Sequence, residues 1–437
     1  MKPEKPEDIL TIFKKMKETI EAHQAWWQRK NDLRNGDYET PSLDISLSPD
    51  YDEKLTTRLD WPAISLAILM SFLRFDAVKN DQLGFTRLLD ACGMYPAIDA
   101  ASENALVGGC AFLAVLPRDS ESEYPVGVVY TGAEATVLFD SRSENVEVGL
   151  AIHKRDTNGN PLEYLMFLRG EILRLDRDGK VIKSKKTSLN EVLMVEWVNG
   201  RDIASKPFGR SIFTKGAISA LDSGQRTKKL AEIAEDLRIG GGVFVIAAGR
   251  PEDNQMRTTT GKAGRITTAF ADDGANSVRI ETLNLPSAEK LQEQMNGHAN
   301  DYSAATFISS TSLGYQPTNG SFSAESLIEQ NKPYAYVREA MRSDFAKSIR
   351  KLAILLMGLA TGKIEDEWRS IEPVFCNVKS SGATGIGDEL LKLKEFGFDL
   401  PLEDYVREEL GIQLKPKMLQ VPMPNFNAAR ELQELSK

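Results

Sequence analysis

Apolar positions recur at helical spacing in several long segments of the chain. Over residues 1–34 the spacings of three and four predict one helix that Gly36 ends; the positions are Ile9, Ile12, Phe13, Met16 and Ile20. The same pattern predicts a helical region over 52–92 and a helix over 95–107. We expect a break at Trp61-Pro62, because proline disfavours helix in the residue before it.

Short apolar runs replace the helical pattern between residues 110 and 199. Cys110 to Leu116 reads as a buried strand, and 125–199 as antiparallel strands. Asn158-Gly159 and Asp178-Gly179 predict hairpins, since both turn residues need positive φ. A calcium loop over Asp156–Asn160 is the alternative, but Pro161 stands where such a loop needs glycine.

The second half of the chain has a different order of predicted elements, in which long helices flank one short β-rich module. We predict a helix over 213–238, a β-rich module over 243–286 and a helix over 287–309 that Ser287 caps. A polar loop over 310–323 follows, then a long helix over 324–362 with Pro333 inside it, where a kink is expected. Residues 363–437 read as a smaller helical region. The predicted fold class is α+β.

Composition and net charge argue against some classes of protein function. A chain of 437 residues predicts two or three domains, and a formal net charge of −9 argues against tight DNA binding, which depends on neutralised phosphates. Three scattered cysteines, no signal peptide and a longest apolar run of 12 residues (62–73) lead us to expect a soluble intracellular protein with no membrane span.

No catalytic constellation is visible in the sequence. The three histidines, His23, His153 and His298, lie far apart, and no metal motif, phosphate-binding loop or nucleophile elbow occurs. We therefore expect no enzyme activity, no catalytic residue, no metal and no cofactor. Arg226, Lys228 and Lys229 lie close together on the 213–238 helix, and their plainest interpretation is a solvated helix face.

Four stretches together resemble the portal proteins of tailed (siphovirus-type) bacteriophages. They are Leu59-Asp60-Trp61-Pro62 continuing to Leu73-Arg74-Phe75; Ala105-Leu106-Val107-Gly108-Gly109-Cys110-Ala111-Phe112; Gly209-Arg210-Ser211 with Asp222 to Arg226; and Leu313-Gly314, Asn319 and Ser323-Ala324-Glu325. The fourth is the most specific. The chain departs from the family at Leu33-Arg34-Asn35-Gly36, where Tyr-Tyr-x-Gly is common, and at Ser326, where alanine is usual.

The resemblance implies a phage portal fold in a ring, usually of twelve subunits. It implies an α/β wing over 1–212, a stem of helices 213–238 and 287–309, and a clip over 239–286. The loop 310–323 would be a tunnel loop that faces DNA, 324–362 a long kinked wing helix and 363–437 a helical crown.

The same resemblance implies the site residues and the partners. Arg226, Lys228 and Lys229 would line the stem channel, and the loop would present Leu313, Gly314, Tyr315, Gln316, Thr318, Asn319, Ser321 and Phe322. The implied partners are other copies of the chain, the terminase large subunit, head-tail connector or adaptor proteins, major capsid and scaffolding proteins, and double-stranded DNA that passes without sequence specificity. The ring would assemble in the host cytoplasm and reside in the virion. A nucleic-acid-processing enzyme and another structural virion or adaptor ring protein are the alternatives.

Overall fold

The computed structural model shows a mixed α/β fold. It describes residues 6–39, 41, 58–79, 81, 83–117, 124–140, 145–200, 208–239, 243–248, 257–261, 264–271, 279–282, 287–315 and 324–376. The chain divides into two compact units. Unit 1 comprises Met1–Asp37, Ala63–Phe213 and Asn331–Lys437, and unit 2 comprises Tyr38–Pro62 and Thr214–Gln330.

The described residues form seven α-helices and fourteen strands. The helices are α1 (Pro6–Asn35), α2 (Trp61–Leu73), α3 (Phe85–Ala91), α4 (Tyr95–Gly108), α5 (Lys215–Ile239), α6 (Ala288–Thr306) and α7 (Ala324–Thr361). The strands are β1 (Phe75–Val78), β2 (Cys110–Leu116), β3 (Val126–Thr131), β4 (Ala135–Phe139), β5 (Val146–Arg155), β6 (Pro161–Leu168), β7 (Glu171–Asp176), β8 (Val181–Lys186), β9 (Met194–Val198), β10 (Val243–Ala248), β11 (Arg257–Gly261), β12 (Gly264–Ala271), β13 (Arg279–Thr282) and β14 (Pro373–Phe375).

In unit 1, α1 packs its apolar stripe on a five-stranded antiparallel sheet of order β4-β5-β6-β7-β8. The rings of Phe13 and Tyr164 meet edge to face at 5.1 Å, and Met16 and Ile20 are buried in the same cluster. The apolar stripe of α1 thus faces the buried side of the sheet, which confirms the predicted helix over its described residues, from residue 6 onward.

A three-stranded sheet of order β3-β2-β9 forms the second layer of unit 1. Its central strand β2 is buried almost throughout, as the apolar run predicts. Trp197 on β9 is fully buried, and its Nε1–H donates to Ser102 Oγ on α4 at 3.1 Å. The predicted helix over 95–107 and the predicted strand over 110–116 are both confirmed.

The two dipeptides predicted as hairpin turns form them. Gly159 and Gly179 have φ of 83° and 86°, whereas Asn158 and Asp178 do not have the positive φ that the prediction required of both turn residues. The turns join β5 to β6 and β7 to β8. In the first turn Asp156 Oδ1 accepts from the backbone N–H of Asn158 at 2.9 Å and of Asn160 at 2.8 Å. Asp156 Oδ2 accepts from the side-chain amide of Asn160 at 3.2 Å, so both carboxylate oxygens have amide donors within the turn.

The helical region predicted over 52–92 is wrong in its middle. Residues 75–78 form β1, which pairs antiparallel with β14 at residues 373–375. The pairing partner lies almost 300 residues away in the sequence, so no local pattern identifies it. The expected break at Trp61-Pro62 is instead the start of α2, where proline fits because first-turn amides need no helical partner.

The long helix over 324–362 is confirmed as α7, with 38 residues and Pro333 inside it. Its described side chains bury a stripe at helical spacing, which consists of Met341, Phe345, Ile349, Leu352 and Leu356. Lys351 forms an ion pair with the buried Glu196 of β9, and Ser348 Oγ donates to the Glu196 carbonyl at 2.8 Å. The boundary between the units falls within α7, after Gln330.

Unit 2 contains the helix pair α5 and α6 and a four-stranded sheet of order β11-β12-β10-β13. In that sheet β10 and β12 run parallel, and the other neighbouring pairs run antiparallel. The helices and the small β module agree with the predicted order of elements. Beyond residue 363 the structure describes a 3₁₀ turn at 366–370 and β14, and residues 377–437 lie outside the description.

No helix among the described residues combines the length and the apolar character that crossing a bilayer would require. The wing, stem, clip, tunnel-loop and crown boundaries remain predictions.

Candidate functional site

The two helices of unit 2, α5 and α6, run antiparallel, and each has a capped N-terminus. Thr214 Oγ1 accepts from the Ala217 N–H at 3.2 Å to cap α5, and Ser287 Oγ accepts from the Lys290 N–H to cap α6, as predicted. A side chain on Gly216 would lie 3.9 Å from Ala305, so the start of α5 meets the end of α6. The 25 residues of α5 span about 38 Å.

The buried residues of α6 recur at helical spacing and form one face of the helix. This face consists of Leu291, Met295, Ala299, Tyr302, Ser303 and Thr306. The helix ends at Phe307, whose φ of 61° is left-handed, and the Phe307 N–H bonds back to the Ser303 carbonyl. A bulky side chain in this conformation is strained and needs its surroundings to hold it.

The three predicted stem cations occupy different environments. Arg226 is exposed, while Lys228 is half-buried and reaches the Arg58 carbonyl at 3.5 Å. Lys229 is only 3% exposed, and its Nζ donates to the Pro41 carbonyl at 3.4 Å. Lys229 is therefore held in the packing of its own unit, and Arg226 is the most exposed of the three cations.

Trp61 is the centre of an aromatic cluster in unit 2. The side chain is 2% exposed, and its ring lies 5.3 Å from the ring of Tyr302 and 5.5 Å from that of Tyr315. Gly224 of α5 passes beneath it so closely that a Cβ there would lie 2.7 Å from Trp61 Cη2. Only glycine allows the helix to approach the indole in this way.

Hydrogen bonds hold the segment that leads into Trp61. The Leu59 N–H donates to Gln225 Oε1 at 2.9 Å, and Gln225 is fully buried on α5. The Tyr38 hydroxyl donates to the Leu59 carbonyl at 2.8 Å. The backbone before Trp61 is thus fixed to α5 by polar contacts as well as by packing.

The start of the predicted tunnel loop is also ordered against this cluster. Ser310–Leu313 form a 3₁₀ turn that Gly314, with φ of 83°, terminates. The Tyr315 N–H donates to the Ser310 carbonyl at 3.1 Å. Burial raises the pKa of Tyr315, and a side-chain hydrogen bond with Trp61 opposes that rise.

The structure therefore describes three of the predicted loop residues. Leu313 is buried, Gly314 turns the chain and Tyr315 packs on Trp61. The remaining predicted residues, Gln316, Thr318, Asn319, Ser321 and Phe322, lie outside the described residues. We name the cluster of Trp61, Gly224, Gln225, Tyr302 and Tyr315 the loop anchor.

Two of the four stretches that resemble a portal protein thus meet in the loop anchor, together with a residue next to part of a third. Trp61 comes from the first, Gly224 and Gln225 from the Asp222 to Arg226 segment, and Tyr315 from beside the fourth. Sequence reasoning quoted Trp61 but missed its role, and it missed Gln225 and Tyr302 altogether. The stripe of α6 could have identified Tyr302, whereas nothing local marks Gln225 as buried.

The other glycine-containing stretches meet each other in unit 1. Gly109 has φ of 78°, and a Cβ on it would lie 2.7 Å from the Gly209 carbonyl oxygen. The Asn199 N–H donates to the Gly109 carbonyl at 3.0 Å, and Asn199 Nδ2 donates to the Arg210 carbonyl at 2.7 Å. Both glycines are required because two backbone segments touch here.

The described residues contain no cluster of three or more His, Cys, Asp and Glu side chains that could hold a metal ion. His23 stacks on Phe208 with ring centroids 4.0 Å apart, and burial lowers its pKa to about 4. It lines an open hollow of about 400 Å³ together with Lys15, Glu18, Thr19 and Ala22. His153 lies on β5 and His298 on α6, apart from it.

No protein-family model and no curated protein matches the chain. Its fold is similar to that of a chain in the virion of a native gene transfer agent (GTA) particle, with 12% identity and a TM-score of 0.44, over 88% of this chain and 99% of that one. A chain in the neck of a native GTA particle, computed with C12 symmetry, is similar with 13% identity and a TM-score of 0.46, over 87% and 99%. Likeness this distant does not extend to function, so the function proposed below is argued from this chain's own residues.

Proposed function

We propose that the chain is the subunit of a portal-type ring at one vertex of a phage-like capsid. The observation that carries this proposal is the loop anchor, which joins the start of the loop to an antiparallel helix pair. A small sheet follows the first helix, and a 38-residue helix follows the loop. This order is the one implied by the resemblance of the four stretches, and it suits a channel wall.

The proposal assigns a task to each part. The helices α5 and α6 form the stem, 239–286 the clip that docks the terminase and later the connector proteins, and 310–323 the tunnel loop. Residues 1–212 with part of α7 form the wing, and 363–437 the crown. Double-stranded DNA passes through without sequence recognition, and the ring belongs to the virion after assembly in the host cytoplasm.

The loop and the stem would treat DNA differently. Residues 310–323 carry no charged side chain, so they contact sugar and phosphate by hydrogen bonds or packing without holding them by charge. Arg226, which is exposed on the stem helix, is the residue we assign to the channel lining. Lys228 and Lys229 support the stem from within, because their amines bond to backbone carbonyls of the same unit.

Imaging and mass measurement test the ring directly. Negative-stain images of the purified chain should show annular particles with a central hole, and light scattering should give about 0.58 MDa, the mass of twelve 48.5 kDa chains. The same preparation should hydrolyse neither ATP nor nucleic acid. A monomer at every salt concentration, together with turnover that a point substitution abolishes, would establish the enzyme alternative.

A ring that neither associates with terminase nor supports packaging would favour the other alternative, an adaptor or different virion ring. Complementation of DNA packaging separates a portal from an adaptor ring. A portal variant that lacks the charge of Arg226 should still form rings, so a loss of packaging in that variant reports on the channel and not on assembly. Arg226→Ala serves for this comparison, and Lys347→Ala, an exposed lysine of α7, is the matched control.

A further inference from the structure

The strand β8 is the exposed edge of the five-stranded sheet in unit 1. Among the described residues it pairs with β7 alone, and all six of its residues are exposed. An edge strand of this kind presents a row of backbone N–H and C=O groups that another strand can use. The central strands β5 and β6, by contrast, bury most of their apolar side chains.

The edge carries a concentrated positive charge. Residues 180–186 contain Lys180, Lys183, Lys185 and Lys186 and no acidic residue. This is +4 in a chain of net charge −9, so the remaining residues sum to −13. We call residues 180–186 the basic edge. Within the described part of the chain, none of the four lysine amines forms an ion pair.

The register of the sheet distributes these lysines over both faces. Lys183 lies opposite Arg174 and Lys185 opposite Ile172, whereas Lys186 lies opposite Glu171. Residues that face each other across antiparallel strands share a face, and successive residues alternate. Lys183 and Lys185 therefore point to one side and Lys186 to the other.

The basic edge also exposes two neighbouring branched apolar side chains. Val181 is 50% exposed and Ile182 is 53% exposed. Lysines on an edge strand are a common protection against aggregation, but that explanation leaves the exposed valine and isoleucine unaccounted for. A nucleic acid would neutralise the lysines and gain little from apolar side chains, so the combination favours a protein strand.

The hairpin that carries the basic edge is held in place. A Cβ on Gly179 would lie 2.6 Å from the Phe13 ring of α1, so the turn packs directly on the helix. Asp176 Oδ1 accepts from the Asp178 N–H at 2.9 Å and from the Lys180 N–H at 2.8 Å. A fixed edge loses little conformational entropy when a partner binds.

We propose that the basic edge docks an extended acidic segment of another protein, which adds as a strand beside β8. Carboxylates of the segment meet Lys183 and Lys185 on one face and Lys186 on the other, and its apolar side chains cover Val181 and Ile182. Main-chain hydrogen bonds supply affinity, and the charge pattern supplies selectivity. The proposal is independent of the portal function and applies to the free chain as well as to a ring.

Fluorescence anisotropy tests the docking with defined probes. The first probe is a labelled decapeptide in which pairs of glutamates alternate with pairs of valines, so that each face of the added strand carries both residue types. The second has the same composition except for two central prolines, which remove backbone donors and prevent strand pairing. The third is a labelled 20-bp DNA duplex. The protein variants are Lys183→Glu plus Lys185→Glu, and as a control Lys14→Glu plus Lys154→Glu, two exposed lysines elsewhere in unit 1.

The wild-type chain should bind the alternating peptide, and the Lys183/Lys185 variant should bind it at least about tenfold more weakly, since two attractive pairs become repulsive. The control variant should bind like wild type, and the proline peptide should not bind. Circular dichroism checks that both variants are folded. Equal binding of the proline peptide or of DNA overturns the proposal in favour of a general polyanion site. Absence of peptide binding, or self-association that the Lys183/Lys185 variant abolishes, overturns it as well.

Discussion

At the scale of single residues, the glycines show where close approach is essential. Gly109 combines a left-handed backbone with a neighbouring backbone oxygen that a Cβ would meet at 2.7 Å, well inside van der Waals contact, whereas Gly159 has a similar φ of 83° but open space around it. The first glycine joins two segments, and the second only turns a hairpin. The two glycines therefore have the same backbone conformation and differ in the space available to a side chain, so their alanine variants can be compared directly.

Gly109→Ala should lower the free energy of unfolding by about 2–5 kcal/mol. The left-handed conformation accounts for about 1–2 kcal/mol of this and the contact with the Gly209 carbonyl for about 1–3. Gly159→Ala should cost only the first amount. Urea denaturation of both variants measures the difference. Equal destabilisation would mean that the Gly209 segment yields without cost, and that the junction is loose.

At the scale of elements, the loop anchor fastens the loop to the helix pair. Within unit 2, Trp61 packs on Gly224 of α5 and on Tyr302 of α6, so one indole contacts both helices of the pair. Its further contact with Tyr315 fixes the first residues of the loop. Trp26 of α1 is a suitable comparison, because it is the same residue type but 38% exposed.

Trp61→Ala should destabilise the protein by about 3–5 kcal/mol, as removal of a buried aromatic ring does. Trp26→Ala should cost about 1 kcal/mol or less. Hydrogen exchange should also accelerate at the amides of Ser312, Gly314 and Tyr315 in the Trp61 variant alone. Unchanged exchange at these amides would show that the 3₁₀ turn holds the loop start without Trp61.

At the scale of the whole molecule, the charge is spread unevenly. Residues 363–437 carry ten basic and fourteen acidic side chains, the loop 310–323 carries none, and the basic edge carries +4. Twelve copies would have a formal charge of about −108 on the proposed ring. Such a surface should permit DNA to slide, because tight binding requires many neutralised phosphates.

DNA affinity should therefore be weak and should depend little on salt. Between 50 and 200 mM salt, binding of a 20-bp duplex should fall by about tenfold or less, which corresponds to one or two phosphate contacts. Proteins with six to ten such contacts lose about 10³–10⁵ over the same range. A loss of that size would show a true DNA-binding surface and would contradict a passive channel.

The sequence by itself determined the local elements, because their causes are local. Apolar spacing of three and four predicts α1 and α4, a continuous apolar run predicts β2, and Asn158-Gly159 and Asp178-Gly179 predict the two hairpins. The order of helix, small β module, helix and long helix in the second half could also be predicted from the sequence. Each depends on neighbours within a few residues, and the structure agrees with them.

Only the tertiary structure decided what depends on distant neighbours. Residues 75–78 become a strand because residues 373–375 pair with them. Lys229 is buried because Pro41 offers it a carbonyl, and Tyr315 is an anchor because Trp61 lies beside it. The free energy of these contacts comes from groups up to almost 300 residues apart, and periodicity along the chain carries no information about such pairs.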